Sequence, residues 1–195
     1  MPGTHRFRTA ALLAAVTTVL TLAGCGTEPG GDAQAAFVSG SGGLDTVPPA
    51  GRRPAPAISG NDLEGRPVSL QGFAGKVVVV NLWGSWCSAC RAEAKGLELA
   101  FEKYRDQGVQ FLGINTRDTD VTNAEQFESG HGIGYPSIFD PDGTQILKFP
   151  KGSLNPEALP TTLVVDRQGR LAARAMKAVS VDDLDALISP LLAEH

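Results

Sequence analysis

The sequence has 195 residues, of which 42% are hydrophobic, and its formal net charge at pH 7 is -4. This length suits one domain with short appendages and enough apolar material for a core. The mild acidity and the lack of a basic stripe argue against nucleic-acid binding, and three cysteines are too few for a disulfide framework.

The chain opens with a segment typical of a secretory signal. Arg6 and Arg8 precede the run AALLAAVTTVLTLA, which is too short to cross a bilayer comfortably. The tetrapeptide LAGC, ending at Cys25, resembles the lipobox of bacterial lipoproteins, in which the cysteine is lipidated and becomes the first mature residue. Ordinary cleavage after the tripeptide AQA at 33–35 is the alternative, but it lies well past the apolar run. We therefore predict a lipoprotein signal peptide over 1–24.

A linker is predicted next, over residues 25–56. This segment is rich in Gly, Pro, Ala and Ser and has no apolar periodicity, so it is expected to be flexible. A lipidated Cys25 and this linker would tether a folded domain to the extracytoplasmic face of the cell membrane. The remaining cysteines, Cys87 and Cys90, would then lie in an oxidising compartment, where a pair can form a disulfide.

From residue 57 to residue 195 the pattern alternates between strands and helices. The run KVVVVNLW has the continuous β-branched character of a strand buried on both faces. We predict an α/β domain made of a βαβ half, an inserted αβ segment and a ββα half. The predicted strands are 67–70, 76–83, 109–114, 136–139, 161–165 and 170–175. The predicted helices are 88–107, a short one from Asp120 or Thr122 through Phe127 that ends at Gly130, and one from Ser180 with a capping box to Asp183.

Three kinds of chemistry compete for the pair of Cys87 and Cys90. A structural zinc site needs four ligands, and a single cysteine pair supplies only two. A permanent structural disulfide across two intervening residues would constrain little of the unfolded chain. Redox chemistry suits the setting, because a buried strand delivers Cys87 to the N-terminal tip of a helix. There the unpaired N–H groups and the helix dipole favour a thiolate, while Cys90, one turn further, can attack a mixed disulfide.

Residues 79–93, VVNLWGSWCSACRAE, resemble the active-site segment of the TlpA/ResA-like thioredoxin-fold proteins. LPTT at 159–162 matches the cis-proline segment of that family, and the resemblance extends over about residues 57–193. It implies a thioredoxin-like central sheet flanked by helices, with an inserted αβ segment. It also implies that Cys87 is the nucleophile and Cys90 the resolving thiol, with their redox-active disulfide serving in place of a bound cofactor or metal.

The resemblance assigns further site residues one by one. Pro160 would be the cis-proline that faces the cysteines, and the backbone of Leu159 could align a client strand by β-augmentation. Trp86 would shield the sulfur atoms, the alternative being ordinary core packing. Glu93 would accept a proton from Cys90, the alternative being a solvated glutamate on the helix surface.

Three positions depart from the patterns of relatives. Asn81 stands where thioredoxins proper keep a buried acid, so that proton acceptor is missing. Ala89 stands where relatives often carry proline, which leaves the redox potential open. Lys95 replaces a helix-kinking proline, so the helix is expected to be straighter and to set Glu93 differently, although Gly96 could restore some bend.

The leading functional prediction is a membrane-anchored, extracytoplasmic thiol–disulfide oxidoreductase. The resemblance implies a disulfide reductase that is recharged by a membrane thiol-carrier protein, with disulfide-bearing client proteins that include apocytochrome c, and we expect a monomer. A copper-binding metallochaperone on the same fold is one alternative, but His131 resembles an ordinary loop residue. A thiol peroxidase is another, although its cysteine would be expected beside threonine.

Overall fold

A computed structural model describes Met1 and residues 36–194. Apart from Met1, the predicted signal peptide over 1–24 lies outside the described residues, as do Cys25 and the first part of the predicted linker. No helix in the described part of the chain is long and apolar enough to span a bilayer.

The described residues form a mixed sheet of seven strands and a separate two-stranded hairpin. The strands are β1 Val38–Ser39, β2 Leu44–Thr46, β3 Ser59–Asn61, β4 Pro67–Ser69, β5 Val77–Trp83, β6 Val109–Thr116, β7 Ser137–Asp140, β8 Thr161–Val165 and β9 Leu171–Ala175. The sheet has the order β1-β2-β9-β8-β5-β6-β7, and β3 pairs with β4. Every predicted strand is present, and its ends differ from the prediction by no more than two residues.

Strand β5 lies in the interior of the sheet, and all of its residues are buried. It runs parallel to β6 on one side and antiparallel to β8 on the other. The odd-numbered residues Val77 and Val79 pack into a cluster with two of the helices, whereas Val78 and Val80 pack into a second cluster on the other face. Burial on both faces explains why the strand reads as an unbroken apolar run rather than an alternating one.

Three α-helices complete the domain: α1 Ser88–Tyr104, α2 Val121–His131 and α3 Val181–Ala193. Helices α1 and α3 cover one face of the sheet, where Leu97 and Leu184 meet in the larger cluster. The other face carries no α-helix among the described residues; Leu70 and Ile146, which lie in short 3-10 helices, cover it instead. The thioredoxin-like α/β fold is thereby confirmed, with the inserted α2–β7 segment beside β6.

Helix boundaries follow the capping chemistry in the sequence. The predicted capping box is present at α3, where Ser180 and Asp183 exchange side-chain-to-backbone hydrogen bonds. Helix α1 is continuous through Lys95 and Gly96 and ends in a 3-10 turn. Helix α2 extends past the predicted end at Gly130, because Gly132, at φ 69°, adopts the left-handed conformation that closes it.

The segment predicted as a linker differs from that prediction over residues 38–56. Strand β2 pairs antiparallel with β9, and Val47 is buried in the core. The Asp45 carboxylate accepts a hydrogen bond from Nε of Arg174 at 2.8 Å. Arg52 reaches Asp166 at 3.1 Å. These polar contacts join residues far apart in the sequence, so no local apolar periodicity revealed them.

Candidate active site

The chain turns sharply between the end of β5 and the start of α1, and Cys87 lies at this junction. Cys87 is the N-cap residue of α1, and its Sγ accepts a hydrogen bond from the backbone N–H of Cys90 at 3.1 Å. The N–H groups of a first helical turn have no partner within the helix, and the helix dipole adds partial positive charge there. This position therefore stabilises negative charge on Sγ of Cys87, as the sequence predicts.

Cys87 and Cys90 form a disulfide, with their Cα atoms 5.2 Å apart. The side chains are not equally accessible, since Cys87 is 6% exposed and Cys90 only 1%. Cys87 is thus the more accessible of the two, and the roles of nucleophile for Cys87 and resolving thiol for Cys90 stay predictions. The structure thus describes the oxidised form of the pair.

Glu93 lies one turn after Cys90 and is 3% exposed, so it is not a solvated glutamate of the helix surface. Its Oε1 accepts a hydrogen bond from Nδ2 of Asn81 at 2.8 Å, and its Oε2 accepts one from the backbone N–H of Val179 at 2.9 Å. Burial raises the pKa of Glu93 to about 7, although both hydrogen bonds oppose the rise. A carboxyl group with a pKa near neutral suits proton transfer at physiological pH.

Asn81 has a structural role that the sequence prediction missed. It lies opposite Thr162 of β8, and its Nδ2 is 3.3 Å from Oγ1 of that residue. An amide cannot replace the proton acceptor of thioredoxins proper, but it donates to the buried acid on α1 instead. The buried acid of this site, Glu93, therefore lies on helix α1, whereas thioredoxins proper keep theirs at the strand position that Asn81 occupies here.

Leu159 and Pro160 lead into β8. The peptide bond between them is cis. Pro160 is buried, and the half-buried Leu159 packs against the cluster that contains both cysteines. The structure therefore places Leu159 against the cluster that holds the disulfide, whereas the facing of Pro160 toward the cysteines and the alignment of a client strand stay predictions.

Trp86 lies on the surface rather than in the core, with 52% of its area exposed. The guanidinium carbon of Arg117 lies 4.7 Å from the centre of its ring, within cation–π range. Arg117 also lies 3.7 Å from a carboxylate oxygen of Glu157 and has a φ of 60°, a value uncommon for a residue with a side chain. Trp86 and Arg117 together present an aromatic and cationic surface next to Cys87.

A buried carboxylate, Asp118, braces the loop before Cys87. It accepts hydrogen bonds from the backbone N–H of Ser85 at 2.8 Å and from Nδ2 of Asn115 at 2.6 Å. Arg91 donates to the carbonyl oxygen of Ser85 at 2.7 Å. Sequence reasoning missed these residues, although one signal was available: β6 runs parallel to β5, so residues that follow β6 meet those that follow β5 at one edge of the sheet.

His131, which the copper alternative would require, lies at the end of α2. Its Nδ1 is 2.8 Å from the carbonyl oxygen of Phe127, and the two rings stack with centres 4.3 Å apart. Among the described residues, no group of three or more His, Cys, Asp or Glu side chains is arranged to hold a metal ion.

Comparison with known proteins identifies the family. The model of the AhpC/TSA family matches residues 52–174. Thiol-disulfide oxidoreductase ResA of Bacillus thuringiensis (strain Al Hakam) is 26% identical over 137 residues, which cover 70% of this chain and 76% of that protein. The ResA protein of Geobacillus thermodenitrificans is 29% identical over 130 residues, which cover 67% and 71% of the two chains.

Solved structures agree with this relationship. A DsbF homologue from Corynebacterium diphtheriae is 35% identical and has a TM-score of 0.72, covering 80% of this chain and 98% of its own. A secreted thiol-disulfide isomerase from Corynebacterium glutamicum is 34% identical with a TM-score of 0.74, covering 81% and 97%. With the joined cysteines at a helix start, these similarities show that the chain belongs to the AhpC/TSA family and is a TlpA/ResA-like thiol–disulfide oxidoreductase.

Proposed function

We propose that this oxidoreductase works as a reductase of client disulfides outside the cytoplasm, anchored to a membrane through a lipid on Cys25. The observation that carries the proposal is the buried Glu93 one turn from Cys90, in the same site as the disulfide. A carboxyl group with a pKa of about 7 can take up the proton that the resolving thiol must lose.

The reaction balances in two exchange steps. In the first, the Cys87 thiolate attacks a client disulfide; a bond forms between Cys87 and one client sulfur, and the other client sulfur leaves as a thiolate and is protonated. In the second, Cys90 gives its proton to Glu93 and attacks Cys87. The Cys87–Cys90 bond forms, the bond to the client breaks, and the second client sulfur leaves and is protonated. Two electrons pass from the dithiol to the client.

The surface beside Cys87 supports recognition of a protein client. Exposed Trp86 under the guanidinium of Arg117 offers an aromatic face and a positive charge, and both groups are common in binding sites for peptide segments. Leu159, which packs beside the cysteines, lies at the start of β8, where an extended segment could align. Apocytochrome c is the client class that we favour, with a membrane thiol-carrier protein as the electron donor and the protein acting as a monomer.

Single cysteine variants test the reductase. Cys87→Ser should abolish reduction of insulin disulfides, because the attacking sulfur is lost. Cys90→Ser should trap mixed disulfides between Cys87 and the client, which are visible by non-reducing electrophoresis and mass spectrometry. Insulin reduction by Cys87→Ser at the wild-type rate would refute the role of this pair.

The direction of electron flow has its own measurement. A redox titration of the pair should give a midpoint potential near the ~-270 mV of thioredoxin. A value near the ~-120 mV of the oxidant DsbA would overturn the reductase proposal and leave the assignment as an oxidoreductase intact.

The membrane anchor is tested with Cys25→Ser. We expect the wild-type protein to appear in the membrane fraction with a mass increased by lipid, and the variant to lose both properties while its purified domain keeps full insulin reduction. Wild-type protein without added lipid mass would exclude the anchor. The similarity to a secreted isomerase supports an extracytoplasmic site of action.

A further inference from the structure

In the resolving step, in which Cys90 attacks Cys87, the thiol proton of Cys90 must leave the site. Cys90 and Glu93 are almost completely buried, and the hydrogen bonds from Asn81 and Val179 occupy one oxygen each of the Glu93 carboxylate. A proton that leaves Cys90 therefore has no direct contact with solvent along α1. Repeated turnover requires a group that connects this buried region with water.

A small cavity next to Cys90 provides the first part of such a connection. Asn81, Trp83, Glu128 and Tyr135 contribute to its walls together with Cys90, and its size is about that of one water molecule. Glu128 of the inserted helix α2 and Cys90 of α1 therefore border the same space.

A groove on the protein surface provides the second part. It runs along the β3–β4 hairpin and the residues that follow α2, and it is open to solvent. Glu128, Ile133 and Tyr135 line both the groove and the inner cavity, so they form the wall between them. Glu128 is the carboxyl group in that wall.

The surroundings of Glu128 differ from those of a structural carboxylate. Its Oε1 is buried and accepts no hydrogen bond from any residue that the structure describes. The Ser137 hydroxyl accepts the indole N–H of Trp83 at 3.1 Å. Burial raises the pKa of Glu128 to about 7, although the nearby Ser137 hydroxyl opposes the rise.

We propose that Glu128 exchanges protons between the cavity beside Cys90 and the surface groove, and so serves as the proton exit of the resolving step. This proposal rests on the proposed reductase function. When Cys90 attacks Cys87, Glu93 takes up its proton, and the proton then passes by way of the cavity to the Glu128 carboxylate and on to water in the groove. The carboxylate is regenerated without a change in its redox state.

Other charged groups set the field at Glu128. The carboxylates of Asp62 and Glu64 on the hairpin favour its protonated form, whereas Arg66 pairs with both of them and neutralises part of that effect. Tyr135 stays protonated, because burial and nearby carboxylates raise its pKa. Glu93 and Glu98 of α1 act on Tyr135 from the other side, and His131 follows Glu128 on α2.

The test compares Glu128→Gln with Glu125→Gln, an exposed position on the same helix. The measured quantity is the rate at which Cys90 releases a client peptide from a preformed mixed disulfide with Cys87, from about pH 5 to about pH 9. We expect the wild type and Glu125→Gln to share a rise in rate through about pH 7. Glu128→Gln should show a shallower rise, because only Glu93 still titrates near pH 7, and should be about tenfold slower near pH 7.5, with the difference in rate shrinking toward the ordinary thiol pKa of ~8.5.

Controls separate proton transfer from damage to the fold. Alkylation of Cys87 should proceed at the same rate in both variants, their thermal unfolding midpoints should agree at about pH 4, where a glutamate at 128 is protonated, and Glu128→Asp should recover part of the pH-dependent rise. A Glu128→Gln profile identical to that of Glu125→Gln would overturn the proposal, and so would slowing by the same factor at every pH. If the wild type itself fails to release the client, the reductase function fails instead, which is a distinguishable outcome.

Discussion

The two walls around Cys90 each carry one buried carboxyl group, and they hold it in different ways. On α1, Glu93 has one donor for each oxygen, from Asn81 and from Val179. On α2, Glu128 has a buried oxygen that accepts no hydrogen bond from the described residues. Burial raises the pKa of both groups to about 7. The two groups thus have a similar pKa in different surroundings. Glu93 is fixed by its hydrogen bonds and is suited to accept the proton of Cys90. Glu128 is less constrained and is suited to pass the proton on.

The largest expected effect comes from removing the fixed carboxyl group. Glu93→Gln should slow the release of a client from its mixed disulfide by on the order of a thousandfold at neutral pH, because general-base catalysis typically contributes ~10²–10⁴-fold. Stopped-flow measurement of a single turnover checks this. A loss no larger than that of Glu128→Gln would show that the two carboxyl groups do not differ in role.

The second prediction concerns stability, with the disulfide kept intact. Each buried glutamate has a pKa near 4.5 when unfolded and about 7 when folded, so the folded state retains its proton while the unfolded state loses it. The free energy of unfolding should therefore fall as pH rises from about 4.5 to about 7, by at most about 3 kcal/mol for each group. Urea denaturation across this range measures the fall.

The variants sharpen this second prediction. Glu93→Gln and Glu128→Gln should each flatten the pH dependence of stability, because glutamine does not titrate. The exposed variant Glu125→Gln should leave it unchanged. A wild-type stability that does not decrease between these pH values would contradict the raised pKa of both groups.

The third prediction concerns Asn81, which donates a hydrogen bond to Glu93, rather than a carboxyl group. Asn81→Leu removes the hydrogen bond to Oε1 of Glu93, which should cost about 2 kcal/mol of stability and raise the pKa of Glu93 further. The rise in rate with pH should therefore move to higher pH. Thr162→Val is the matched control, since it removes only the 3.3 Å hydrogen bond that the same Nδ2 of Asn81 donates to Thr162. Equal shifts in both variants would be against the proposed role of Asn81.

The smallest effect is expected away from the carboxyl groups. Asp118→Asn should cost about 1 kcal/mol of stability, because the three hydrogen bonds that the carboxylate accepts from Ser85 and Asn115 lose their charge assistance while the volume is kept. The pH profile of client release should not change. A shifted profile would mean that Asp118 also contributes to proton transfer at the cysteines.

Sequence reasoning predicted the parts of the site that depend on local chemistry. The placement of Cys87 at a helix start follows from a buried strand and an amphipathic helix in succession, and the position of Glu93 follows from helical spacing. The contribution of Glu128 depends instead on how the inserted helix packs against Trp83, which no local pattern encodes. Likewise, Asn81 reads as a missing acid until its distance to Glu93 is known.

The N-terminal part of the domain shows the same difference between what local sequence patterns predict and what contacts between distant residues determine. Its composition predicts a flexible segment, and Leu44 to Thr46 nevertheless form a strand because Asp45 pairs with Arg174 across the sheet. An ion pair between residues this far apart in the chain has no signature in either segment. Burial of Val47 adds an apolar contact that is too isolated to form a periodic pattern.

The early start of the sheet limits how far the active site could travel. If the lipid is on Cys25, the stretch from there to Val38 cannot exceed about 47 Å, since a residue spans at most ~3.6 Å. Cys87 would then stay within a limited distance of the bilayer surface. Substrates that remain attached to the same membrane, or that emerge through it nearby, would be favoured over proteins that diffuse freely.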